Sequence, residues 1–173
     1  IAANDSLSDA QREQAATTIA QLKADDEAPS YIASEVLMQL YPNFEDAMAA
    51  LGEEEVDVAV TKLSELGKGE DKHLAAEATY YRGRAHIMTE HDELALAVWN
   101  AILEDHAEAT FRTAEALFFK GMSESQLLKR KEAIASLDKF ILDYENAPER
   151  MQVAAWHELE LLRAIEEGTL TDV

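Results

Sequence analysis

Five histidines are the first residues to question, because imidazole is both a ready metal ligand and a proton carrier near neutral pH. They stand at His73, His86, His91, His106 and His157. None lies in an HExxH frame, and no two are four apart, the spacing that places two ligands on one helical face. His86 and His91 are five apart, which on a continuous helix turns them to different sides. His91-Asp92-Glu93 carries cation ligands, but the run sits where a solvated hairpin turn belongs and reads as that turn.

Carboxylates are abundant, as in Glu53-Glu54-Glu55. General acid/base work needs a protected cleft with perturbed groups, and no segment marks one. The chain has no cysteine, which removes thiolate chemistry and disulfides. No glycine-rich phosphate loop or nucleophile elbow occurs. The chemistry therefore reads as non-enzymatic, without metal or cofactor.

Side chains that do no chemistry must serve recognition or architecture, and the bulk numbers limit both. The 173 residues carry 35 acidic against 15 basic side chains, a formal charge of −20. Such a surface repels phosphate backbones and anionic headgroups, so nucleic acid and membrane surfaces are poor partners. The charge suits a basic partner, or else reflects a salt-adapted proteome. It is denser toward the start: residues 1–57 hold 13 acidic and 2 basic groups. Hydrophobic content of 47% argues for a folded chain. Gly (6) and Pro (3) are few and no strand alternation is visible, so the expected class is all-α. No apolar run approaches a membrane span. The chain opens at Ile1 rather than Met, which reads as a processed or truncated product.

An internal repeat supplies the architecture. AEATYYRG at 76–83 matches AEALFFKG at 114–121, and 38 residues separate the two. At the same offset Ala95 falls on Ala133, Leu96 on Ile134, Ala97 on Ala135, Trp99 on Leu137 and Ile102 on Phe140. Each unit splits into two amphipathic segments, with breaks at Glu90-His91-Asp92 and near Leu128–Lys131. Gly83 and Gly121 lie inside helices, where glycine costs roughly 1 kcal/mol relative to alanine. A close neighbour would explain them, and Ala95 and Ala133, twelve residues on, are the expected small partners. A weaker copy sets Ala47 against Ala59, with Asn43 as expected N-cap, Asp46 at N3 and Gly52 as terminator.

These residues resemble the tetratricopeptide-repeat (TPR) family. Gly83 and Gly121 match its small first-helix position, Ala95 and Ala133 the next, and Trp99 and Leu137 its large apolar one. Ile102 and Phe140 depart from it by standing where the family has alanine, and the units exceed the family's ~34 residues. The resemblance implies a right-handed superhelix of antiparallel helix hairpins, about eight or nine helices in all. Repeats are expected at about 42–70, 73–107 and 111–146, with a capping helix over 149–168 carrying Trp156, Leu159 and Leu162. Residues 1–41 would pack on the array as N-terminal helices. One would open at Ser8 with Gln11 and run to Lys23, and another would follow the Asp25–Pro29 turn and span Ser30–Tyr41. The Phe-x3-Tyr-x3-Pro run of 140–148 resembles the TPR variety of bacterial envelope proteins, which favours periplasm or cell envelope over cytoplasm.

The resemblance also implies a concave groove that binds a protein or peptide segment. Its lining would be Glu77, Tyr80, Arg84 and Met88 from one repeat, and Glu115, Phe118, Met122 and Gln126 from the next. His157 would join from the capping helix. Aromatic and Met anchors in acidic surroundings select a basic or neutral segment. Tyr80 and Phe118 read equally as ordinary packing residues between repeats. The alternative function is a self-associating structural module, a homo-oligomer within a bacterial envelope complex.

Overall fold

A computed structural model describes residues 34–107 and 112–169, together with Thr17. The N-terminal expectations (Ser8 with Gln11, the helix to Lys23, the Asp25–Pro29 turn and the start of the Ser30–Tyr41 helix) lie outside the described residues. Among the described residues all regular structure is helical. The helices are α1 (Ser34–Leu40), α2 (Pro42–Gly52), α3 (Val56–Leu66), α4 (Lys72–Met88), α5 (Asp92–Asp105), α6 (Thr113–Gln126), α7 (Arg130–Asp143) and α8 (Glu149–Glu166). No helix among them is long and apolar enough to cross a membrane. The chain divides into two compact units, with the boundary inside α4 between Ala85 and His86.

In the first unit α1 packs on α2 and α2 pairs with α3. Their common core holds Leu37, Phe44, Ala47, Ala59 and Leu63, together with Leu74 and Ala78 of α4. The start of α2 differs from the expected Asn43 cap. Tyr41, in extended geometry, is the N-cap and Pro42 takes the first helical turn. Proline is pre-set for that position because its missing N–H would have no intrahelical partner there anyway.

In the second unit α6 is the central element, packed against α5, α7 and α8. Its core joins Leu117 and Phe118 to Ala133, Leu137 and Phe140 of α7 and to Met151, Ala155, Leu159 and Leu162 of α8. Gly121 faces α7 at close range. Its neighbour there is not the expected Ala133: a Cβ at Gly121 would stand 2.6 Å from Leu137 Cγ and 2.7 Å from Leu137 Cδ2. The small residue accommodates a large one, one helical turn further along α7.

The turns repeat more faithfully than the side chains. Glu54, Glu90 and Leu128 all have left-handed backbones, with φ of 62°, 57° and 58°. After each, the amide of the next residue returns to the preceding helix: Glu55 to the Ala50 carbonyl at 2.9 Å, His91 to His86 at 2.9 Å and Lys129 to Glu124 at 2.8 Å. These are Schellman closures, which satisfy carbonyls the helix end leaves open. The same three residues are the N-caps of α3, α5 and α7, without side-chain caps. Their carbonyls accept the amides of Ala59, Ala95 and Ala133 at 3.0, 3.0 and 2.9 Å. All three alanines are fully buried.

Two substitutions test this frame by urea unfolding. Gly121→Ala is expected to destabilise by about 1–2 kcal/mol, because overpacking against Leu137 outweighs the gain in helix propensity. Leu128→Gly is expected to stabilise by about 1 kcal/mol, since Leu128 is exposed and glycine carries no Cβ penalty at positive φ.

Candidate functional site

The aromatic pairs of α4 and α6 decide how the expected groove stands. Tyr80 is 3% exposed and Phe118 is 7% exposed. The Phe118 ring lies 5.4 Å from Phe140 and 5.2 Å from Phe119, within the core of the second unit. Tyr80 meets Tyr81 edge-on at 5.3 Å, and its hydroxyl accepts Arg84 at 3.2 Å. Both aromatics are packing residues rather than open anchors. Adjacent helical residues diverge by about 100°, and α6, which has three neighbours, buries side chains over more than one face.

The remaining candidates separate in the same way. Glu77 is buried and accepts Ser34 Oγ at 2.5 Å, and Ser34 also lies 3.2 Å from the Tyr81 hydroxyl. These bonds fasten α1 to α4. Glu115 is half-buried and accepts Arg112 Nη1 at 3.0 and 3.2 Å. Met122 is half-buried against the second core. Arg84, Met88, Gln126 and His157 are exposed.

Turn geometry corrects the expectation for His86 and His91. Because α4 ends at Met88 and the chain reverses at Glu90, their rings approach edge-on to 6.4 Å instead of diverging. His91 Nδ1 is hydrogen-bonded to Thr89 Oγ1 at 2.9 Å. Among the described residues no group of three or more His, Cys, Asp or Glu side chains is placed to hold a metal ion.

Other polar groups serve the frame. Glu124, buried on α6, accepts Ser136 Oγ of α7 at 2.6 Å and lies 3.6 Å from Lys120 Nζ. Ser125 donates to Glu158 of α8. Arg163 of α8 grips both carboxylate oxygens of Asp138 of α7 at 2.6 and 2.7 Å. Burial draws the half-buried Arg82 guanidinium below its usual range, and its Nε meets no acceptor. An open cleft of about 410 Å³ lies against α2 and α3, lined by Asn43, Lys62, Glu65 and Leu66. Lys62 already reaches Asp46 at 3.4 Å, and among the described residues no second cation or nucleophile lines that cleft.

The expected groove reaches α8 through His157 and leaves out the neighbouring Trp156. Trp156, expected as an apolar member of the capping helix, is 50% exposed, whereas Leu159 and Leu162 turn inward. Val153 at 61% and Leu161 at 40% share its exposure. Trp156 follows Phe118 by the same 38 residues that separate Phe118 from Tyr80, so the repeat marks its position but not its exposure.

No protein-family model, no curated protein and no solved structure matches this chain.

One polar contact gives a pH test. The Tyr41 hydroxyl donates to Asp71 Oδ2 at 2.6 Å, while Asp71 Oδ1 accepts the amides of His73 and Leu74, each at 3.0 Å, at the start of α4. Burial pushes the Tyr41 hydroxyl up from 10.0 to about 12, helped by its bond to Asp71 and by the carboxylate charge. Burial alone would raise Asp71, but the Tyr41 hydroxyl, the two amides and His73 outweigh it and hold the carboxyl low.

Tyr41 in the unfolded chain therefore loses its proton first. The contribution of Tyr41 is complete below pH 10.0 and disappears as pH rises toward about 12. Asp71 has the opposite sign: its contribution is complete above the ordinary carboxylate range and disappears as pH falls below it. Tyr41→Phe is expected to cost roughly 1 kcal/mol at pH 8 by urea unfolding. That difference narrows as the measurement moves above pH 10.0. A constant difference would show that the hydroxyl does not titrate as the contact requires.

Proposed function

We propose that this chain is a non-catalytic, TPR-like interaction scaffold that binds a protein or peptide segment. The observation that carries this reading is the hairpin repeat. Three successive closures, at Glu54, Glu90 and Leu128, share one backbone geometry and one buried alanine position. A hairpin exposes one face of each first helix when its other faces pack on neighbours, and stacked hairpins offer such faces as recognition surfaces.

In the second unit Met88, Gln126 and His157 are the accessible members of the expected set, with Met122 half-buried. Methionine adapts to irregular apolar partners. Tyr80 and Phe118 contribute stiffness behind the surface rather than contact. A chain with a charge of −20 selects a basic or neutral segment over an acidic one.

Photo-crosslinking side chains at Met88, Gln126 and Leu142 would test the assignment in lysate of the native cell. Leu142 is the control, being exposed near the end of α7. A discrete basic or neutral adduct from positions 88 and 126, absent from 142, is the expected outcome. Identical adduct patterns from all three positions would contradict it.

A further inference from the structure

We propose that the outward face of α8 docks an amphipathic helix of a partner protein, with basic side chains flanking the apolar stripe of that helix. Glu149, Val153, Trp156, Glu160, Ala164 and Glu167 recur at intervals of three and four residues, so they form one stripe along the helix and its cap. The opposite stripe, Met151, Ala155, Leu159 and Leu162, is buried in the core of the second unit. The exposed stripe is therefore distinct from the core face, and Val153 and Trp156 are its exposed apolar members, set between glutamates.

Three observations select the occupant. The first is register: Trp156 stands 38 residues after Phe118 and Phe118 38 after Tyr80. Those two aromatics are covered, while Trp156 remains half-exposed. Among the described residues of this unit α6 lies between helices, whereas α8 packs chiefly on α6 and α7, and the element that fits the outward side of a helix is another helix.

The second observation is local charge. Among the described residues Glu149, Glu160, Glu166 and Glu167 form no ion pair, and Arg163 is already held by Asp138. Arg150, at one edge, is the cation left on this helix. Carboxylates interleaved with Val153 and Trp156 complement Lys or Arg set beside apolar residues.

The third is the charge of the whole chain. At −20, a second copy of this protein would meet the same carboxylates with its own, which disfavours self-docking. The inference rests on α8 alone and not on the surface at Met88 and Gln126, so either can fail without the other.

The protein itself contains the reporter. Of its two tryptophans Trp99 is fully buried and Trp156 half-exposed, so a shift in tryptophan emission on binding reports on α8. A synthetic Leu/Lys amphipathic helix of about 18 residues, matching α8 in length, is titrated against the protein at ~0.15 M and ~0.3 M salt. A Leu/Glu peptide of identical apolar pattern serves as comparison.

A saturable blue shift with the Leu/Lys peptide, and none with the Leu/Glu peptide, is the expected result. Val153→Asp is expected to weaken binding about tenfold or more, with the circular dichroism melt unchanged because Val153 is exposed. Glu160→Lys is expected to weaken it severalfold, and Glu104→Lys, on exposed α5 surface, to leave it unaltered. Equal binding by Val153→Asp, or equal binding of the two peptides, would overturn the proposal. So would a blue shift that grows with protein concentration alone while light scattering reports a doubled mass, since the occupant would then be a second copy.

Discussion

One residue in each hairpin closes one helix and opens the next. Glu55, His91 and Lys129 donate backward to a carbonyl of the finished helix, and their own carbonyls accept the amide of an alanine four residues on. The preceding residue must take positive φ for this to happen, and Glu54, Glu90 and Leu128 do so without being glycine. Each pays part of the steric penalty of roughly 1–2 kcal/mol for an L-residue in that region. The return is a fixed register: a fully buried alanine arrives at the same depth in α3, α5 and α7. Packing then follows from that register, with Leu63, Trp99 and Leu137 each four residues further and also fully buried.

Polar contacts add specificity to this apolar frame. Glu77 with Ser34, and Glu124 with Ser136, are buried pairs that join different helices. A buried carboxylate without its donor is costly, so each pair penalises alternative helix registers more than it stabilises the native one. The exposed Arg163–Asp138 contact contributes less, because solvent screens it even in bidentate geometry. Among the described residues most other acidic groups stay at the surface, where they influence partners and solubility rather than the fold.

Much of the repeat was legible because helical hairpins leave a two-part record of small residues and apolar spacing. Gly121, Ala95 and Ala133 record close approach, and Leu159 with Leu162 record the buried stripe of α8. What escaped was carried by the backbone. No side-chain type announces an N-cap at Glu55, His91 or Lys129, because their backbone groups do the work that Ser or Asp side chains do elsewhere. Helix α2 ends at Gly52 as expected, but the left-handed turn falls two residues on, at Glu54, where no glycine marks it. Exposure was the harder quantity. Tyr80, Phe118 and Trp156 share one register, yet neighbours cover two of them and leave the third open. Periodicity gives the face of a residue on its helix but not the number of helices that pack there.

If the closures hold the fold, they must be present in solution. The direct measurement is the intraresidue amide–Hα NOE at Glu54, Glu90 and Leu128, together with hydrogen exchange at Glu55, His91 and Lys129. The account predicts strong NOEs that mark positive φ at the first three, and slowed exchange at the amides of the second three. Negative φ at those positions, or amides that exchange as freely as open chain, would contradict it.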